Sequence, residues 1–558
     1  MKPMAQAKIE EQLLKIKKEG EEREAQRRAQ KSGFTYLNLA ISPIEIDALN
    51  LVPEEEARRL GVAPLEFKKP DLALAISDPD SSETKEFIQK LEGQGYKLKV
   101  FVASLSGLEH AWSFYKFVPK EAPKITGRVD IKTAKLEELS QRLTDLKSIR
   151  EEISSFLVSG AETGELLEII FGGALAARAS DIHFEPEETK IKLRFRIDGL
   201  LHDISDDTPL EVYPLLVSRV KLLASLKINV QNEPQDGRFT INLEKYEIES
   251  RISIIPAEYG ETIVIRILDP RIIQVELKDL GLRKDDLTIV EKELKEPNGM
   301  VLNTGPTGAG KTTTLYAFLR FVKKPEIKII TIEDPIEYHL DGIEQTQVEP
   351  GTGYTFVKGL SSIMRQDPDI ILVGEIRDQE TVGIALQAAL TGHLVFSTVH
   401  ANSAAGAVPR LLDLGARPQS IGPALNLVIA QRLVRRLCDN CKMPQPITPD
   451  LKNKIKKFLA NLPERVDRSD FEEIKIFIPK GCSKCHNLGY KGRVGIFELL
   501  EVGDEMENLI TQNASEPVIH EFAIKQGMTT LWQDGILKVI SGVTSFEEVE
   551  KATGPLKF

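Results

Sequence analysis

The chain has 558 residues, enough for three or four domains at about 100–200 residues each. Lys and Arg total 73 against 84 Asp and Glu, a formal net charge of −11, which argues against a general nucleic-acid binder. Hydrophobic residues make up 41% and charged residues 28%, an ordinary globular balance, and no apolar run reaches the roughly 18 residues a membrane helix needs.

The first stretch, MKPMAQAKIEEQLLKIKKEGEEREAQRR, is charged throughout and lacks the apolar centre of a secretory signal. The expectation is a cytosolic protein whose membrane role goes through partners. Residues 1–33 read as a charged arm, an exposed helix or a disordered segment. Residues 34–118 read as a small α/β domain. LVPEEEARRLGV (51–62) has a Pro–acid helix start, and DLALAISDP (71–79) is a strand ending in a turn. The polar stretch 119–150 reads as a linker. Residues 151–274 form a second, α+β unit. A helical period at 164–179 precedes ASDIHFEP (179–186) and the alternating KIKLRFRIDGLLHDI (190–204), with Asp198–Gly199 as a hairpin turn. A helix near 211–226 and alternating strands around 238–267 follow. From about 275 to 558 short apolar strands (MVLNTG, KIITIED, DIILVGE, HLVFSTVH) lie between helices, the pattern of a parallel sheet covered on both faces.

MVLNTGPTGAGKTTTLYAFLRF (300–321) carries the most specific chemistry. A strand runs into G-x-x-x-x-G-K-T and on into a helix, the context a phosphate-binding loop requires. Gly305, Pro306, Thr307, Gly308, Ala309, Gly310, Lys311, Thr312 and Thr313 are the expected cradle. Glycines let backbone N–H groups converge on phosphate oxygens, and the helix N-terminus adds partial positive charge. Lys311 is expected on the β and γ phosphates of ATP and Thr312 on Mg²⁺. The next strands end in acids. IITIEDPIEY (329–338) supplies Glu333, Asp334 and Glu337, and DPDIILVGEIRD (367–378) supplies Glu375 and Arg377. Glu337 is the candidate that orients water, Glu375 the one on the metal side, and Glu333 and Asp334 are grouped with the nucleotide-binding residues. TGHLVFSTVHANSA places His393 and His400 around a buried strand, where γ-phosphate sensing or subunit coupling is open to them.

All four cysteines, Cys438, Cys441, Cys482 and Cys485, lie in two CxxC pairs with 40 residues between them. Four thiolates suit a tetrahedral, closed and therefore structural Zn²⁺ site. RLVRRLCDN (432–440), just before, is a basic run that reads as a solvated helix face or a contact for acidic loops.

GPTGAGKT, TIEDPIEY, RQDPDIILVGEIRD and TGHLVFSTVHANSA together closely resemble the bacterial type II/IV secretion ATPase superfamily, in its type IV pilus assembly and type II secretion branches. The resemblance covers about residues 150–558 and, more weakly, 34–118. It implies a RecA-like P-loop domain preceded by a PAS-like domain, with an N-terminal docking domain ahead of both. It implies a homo-hexamer that hydrolyses ATP and drives an inner-membrane platform protein, peripheral at the cytoplasmic face of that membrane. Arginines of the PAS-like domain contact the terminal phosphate in this family. The matching positions are Arg238 and Arg251, with Arg266 less secure, and His400 falls in the family's His box. Two departures stand out. Ser361 occupies the position of a common second arginine, four residues before Arg365. RRLG occurs once, at 58–61, without the repeat by which some relatives bind cyclic di-GMP, so a plain docking module is expected there. The cysteine tetrad and long N-terminal part favour an extending motor for pilus assembly. A type II secretion ATPase is the first alternative and a DNA translocase the second, with direct nucleic-acid binding not expected.

Overall fold

Alternation and turn chemistry divide the described residues among three large sheets and one two-stranded ribbon. The computed structural model describes residues 17–555 apart from 19, 69, 94–95, 118–127, 130–135, 137, 140–141, 144, 160–162, 211, 244–245, 274 and 472. In the first sheet, β1 (Thr35–Tyr36), β2 (Val62–Lys68), β3 (Asp71–Ile76) and β4 (Lys97–Val102) take the order β1-β4-β3-β2. The helix Glu54–Leu60 has Glu54, Glu55 and Glu56 in its first turn and stops at Gly61, whose φ is +63°, as the helix dipole and a left-handed cap dictate. Residues 20–32 of the expected arm are helical and lie on this unit. Ala25 and Ala29 are buried, and Glu22 accepts from Tyr36 and from Ser104 at 2.7 Å. This part is therefore docked rather than exposed, while residues 1–16 lie outside the described residues.

The second sheet contains β5 (Arg128–Val129), β6 (Asp181–Pro186), β7 (Ile191–Ile197), β8 (Leu200–Thr208), β9 (Gln235–Asn242), β10 (Glu247–Ala257) and β11 (Gly260–Leu268), in the order β5-β9-β10-β11-β6-β7-β8. Alternate residues of β7 are buried under the helices Leu146–Ser159, Thr163–Ala176 and Tyr213–Leu223. The β7–β8 turn holds Asp198 at φ +49° and Gly199 at φ +90°, the two positive values a type I′ hairpin needs. Leu136, Leu139 and Leu143, inside the stretch read as a linker, are buried in this core beside Leu146. Their 3-4-3 spacing is a helical stripe hidden among charged neighbours.

The third sheet contains β12 (Gly299–Thr304), β13 (Ile329–Glu333), β14 (Glu344–Gln347), β15 (Ile370–Val373), β16 (Leu394–Val399) and β17 (Leu425–Leu437). β18 (Met443–Pro444) and β19 (Phe477–Ile478) form a separate ribbon, and β20 (Tyr490–Glu501) returns to the large sheet. Its order is β14-β13-β15-β16-β12-β17-β20, parallel except for β20 against β17. The basic run at 432–437 is thus part of a strand, not a helix face. β12 lies between β16 and β17, so the loop leaving its carboxyl end opens where crossover connections diverge, the usual place for a ligand in such sheets. Among the described residues no helix is long and apolar enough to cross a membrane.

Candidate active site and metal centre

Every residue of β12 is buried, which fixes the point at which the chain emerges into the loop. Gly305, Gly308 and Gly310 have φ of +154°, +78° and +90°, values that L side chains resist. A Cβ at Gly305 would stand 2.6 Å from the carbonyl oxygen of Gln431, so glycine is required there on two counts. Pro306, Thr307 and Gly308 are exposed and Ala309 is buried. Gly310 caps the helix Lys311–Val322, whose free N–H groups and dipole face the loop. Lys311 Nζ donates to the carbonyls of Gly305 at 2.9 Å and Pro306 at 3.2 Å. Burial pulls its pKa below the usual lysine range, and the charge of Glu375 opposes that shift. Thr312 is exposed on the first turn. Gly310 and Thr313 line a cavity of about 440 Å³ whose other walls come from the second unit (Ile197, Arg266) and from the cysteine segment (Lys484, His486).

The acids fall into two groups. Glu375 follows β15 by two residues and accepts from Arg377, which also stands 3.6 Å from Asp334. His400 Nε2 lies 3.5 Å from the other oxygen of Glu375. Glu337 accepts from Arg251 Nη1 at 3.1 Å, and Arg251 Nη2 also donates to the carbonyl of Ile336. The expected water-side acid is therefore held by an arginine of the second unit. Arg251 pairs in register with Arg238 on one side and Arg266 on the other, so three arginines stand abreast on one face. They line a second cavity of about 560 Å³ opposite Pro335 and Gln347. Arg238 is exposed, and Arg266 is bound to Asp181 at 3.0 Å.

Two expectations change. Glu333 does not reach toward the phosphate loop. It is 3% exposed, and its oxygens accept from Tyr316, from Thr331 at 2.6 Å and from Gln345 at 3.2 Å. It braces the helix behind the loop, and burial raises its pKa. His393 is taken up by the carbonyl of Ala388, 3.1 Å from Nδ1. Arg365 folds back on its own helix, donating to Ser361 O at 2.8 Å. The sequence reading also missed Gln431, which is buried and accepts from Asn303 at 3.0 Å and Thr314 at 2.9 Å. The unbroken apolar run 427–430 before it was the available signal of a buried strand.

The four cysteine sulfurs lie within 4.8 Å of one another. The sulfur–sulfur distances are 3.9 Å for Cys438–Cys482, 3.8 Å for Cys441–Cys485 and 3.8 Å for Cys482–Cys485. Sulfurs at about 2.3 Å from a tetrahedral zinc stand about 3.8 Å apart, so the set fits the ion. Cys482 and Gly489 each direct a backbone N–H at the Cys485 sulfur at 3.2 Å, which suits a thiolate. The segment grips the second unit. Leu488 packs on its core, and Gly492 donates to Asp198 at 2.8 Å.

A glycine cradle at the carboxyl end of a parallel sheet, with acids on the neighbouring strands, defines a P-loop ATPase. Residues 158–551 match the family described as Type II/IV secretion system protein, and residues 32–115 match the MshEN domain. The chain is 36% identical over 530 residues to the "Type IV pilus assembly ATPase PilB" of Myxococcus xanthus, covering 94% of this chain and 90% of that one. It is 41% identical over 423 residues to the "Type II secretion system ATPase E" of Vibrio cholerae, covering 75% and 82%. In fold it is similar to the ATPase DotB of Legionella pneumophila, at 20% identity and a TM-score of 0.50 over 69% of this chain and 95% of that one. The chain belongs to the type II/IV secretion ATPase family, with a RecA-like ATPase domain behind an MshEN domain.

Proposed function

We propose that this ATPase is the hexameric motor that extends type IV pili, working at the cytoplasmic face of the inner membrane through a platform protein and cytoplasmic assembly proteins. The observation that carries this reading is the extent of the likeness to the pilus assembly ATPase, 94% of the chain, against 75% for the secretion ATPase of Vibrio cholerae. The latter's higher identity, 41%, favours type II secretion as the second reading, with the same engine and a pseudopilus as load.

The backbone of Gly305–Thr313 cradles the phosphates of ATP, and Lys311 exchanges its loop carbonyls for phosphate oxygens. Thr312 and Glu375 would hold Mg²⁺, which neutralises charge on the phosphates when bound. Glu337, released from Arg251 as that guanidinium turns to the γ-phosphate, orients water, and Arg238 joins Arg251. Asp334 holds Arg377, and His400 supports Glu375. Cys438, Cys441, Cys482 and Cys485 would hold Zn²⁺, which cross-links the segment that touches the second unit. The N-terminal unit serves as a docking module for the machine rather than a cyclic di-GMP receptor. Disruption of the gene tests the load. Loss of surface filaments with intact enzyme secretion is expected, and lost secretion with intact filaments overturns the pilus reading.

A further inference from the structure

One side chain crosses the mouth of the phosphate loop without a task in the scheme above. β12 is flanked by β16 on one side and β17 on the other. Arg432 stands on β17, two residues beyond Ala430, the register partner of Thr304. Its Nη1 donates to the carbonyl of Gln431 at 2.9 Å and its Nη2 to the carbonyl of Asn402 at 2.9 Å. Asn402 lies in the loop after β16, two residues beyond His400. The guanidinium therefore spans from one neighbour of β12 to the loop of the other. It passes Gly305 so closely that a Cβ there would meet Nη1 at 3.2 Å. The same loop is tied to the end of β12, where Thr304 Oγ1 donates to Ala401 O at 3.1 Å and accepts from Ala401 N at 2.8 Å. Glu498, buried on β20, accepts from the amides of Ala404 at 2.8 Å and Leu531 at 3.3 Å and offers Arg432 a countercharge.

We propose that Arg432 is a positioning residue for ATP hydrolysis, holding the His400–Asn402 loop against the phosphate loop so that His400 stays on Glu375. The inference rests on the reading of His400 and Glu375 as members of the hydrolytic site. A planar fork bonds two carbonyls that diverge, which a single ammonium on a flexible stem does poorly. Displacement of Gly305 by a bound phosphate moves the guanidinium beside it and, through Asn402, the histidine two residues away. The basic run thus acts inside the site rather than on acidic loops of a partner.

Steady-state turnover of the full chain with Mg²⁺ and ATP tests this in Arg432→Ala, Arg432→Lys, His400→Ala and the double variant Arg432→Ala/His400→Ala. Arg432→Ala lowers kcat about tenfold with KM within about twofold. Arg432→Lys leaves kcat at least about threefold below the parent. The double variant is no slower than the slower single variant, because both changes dismantle one arrangement. Additive losses with a slow His400→Ala overturn the role of Arg432 alone, as does a raised KM at unchanged kcat, which marks a plain nucleotide contact. Parental turnover in His400→Ala overturns the reading of His400 itself. If near-ultraviolet circular dichroism shows Arg432→Ala unfolded, Arg432→Gln takes its place in the same cycle with the same criteria.

Discussion

Lys311 is held by two loop carbonyls, and trading them for phosphate oxygens would keep its ammonium hydrogen-bonded in both states. Lys311→Ala accordingly lowers ATP turnover about a hundredfold or more, measured as phosphate release from folded protein. Unchanged turnover would make the chain a non-hydrolysing scaffold. Arg251 and Glu337 share a bond across two folding units, so Arg251→Ala lowers kcat about tenfold or more through lost charge stabilisation, with Arg251→Lys an incomplete rescue in the same assay. At this scale the sequence was informative wherever a residue's task is local. The glycine spacing and Lys311 follow from contiguous chain. Glu333 does not, because its direction is set by Tyr316 and Gln345, 17 and 12 residues away, and nothing at a strand end announces which face its acid takes.

Among elements, the cysteine segment and the alternating strands carry the tests. Chelation that strips one Zn²⁺ per chain frees Cys482–Gly492 from its anchor and lowers the thermal midpoint. Released metal is titrated with a coloured chelator and the melt followed in parallel. A melt insensitive to metal loss would leave the site without a structural task. Burial pulls the pKa of His183 on β6 and His202 on β8 below the ordinary 6.5. Below about 6.5 the unfolded chain therefore binds more protons than the folded one, so this stability is present above that pH and lost as pH falls. The thermal midpoint is expected to drop as pH is lowered through 6.5 and to drop less in the double variant His183→Gln/His202→Gln. Most elements were legible from period and turn residues. The exceptions were β17, whose charges outweighed its apolar run in the reading of residues 432–440, and Leu136–Leu143, where charged neighbours masked a helical stripe.

At the scale of the whole molecule, identifiable contacts join the first unit to the second. The loop after the helix Tyr213–Leu223 inserts Ile228 into the first core, and Asn229 accepts from Ile44 N at 2.9 Å. Its neighbours hold β9. Gln235 bonds Lys227 through both backbone groups, and the buried Lys221 bonds both Val230 O and Glu261. Position 238 lies three residues beyond Gln235 on the same strand. Ile228→Asp, charging a site 5% exposed, costs about 2 kcal/mol or more of docking. Hydrogen exchange is then expected to rise together in residues 44–52 and 226–235. A rise confined to the loop would mean that the two units are independent.

Two places where the second unit meets the ATPase domain differ in chemistry. One is greasy and lies beside the four cysteines, with Leu488 in the core and Gly492 on the Asp198 turn. The other hangs on one side chain, Arg251, which bonds Glu337 and the carbonyl of Ile336 beside open space. Buried apolar contact resists separation, whereas a partly exposed ion pair dissolves and re-forms readily. In the motor proposed above, the cysteine knuckle would act as the fulcrum and the arginine row as the free end of a lever, so that each turnover would deliver torque rather than a straight push.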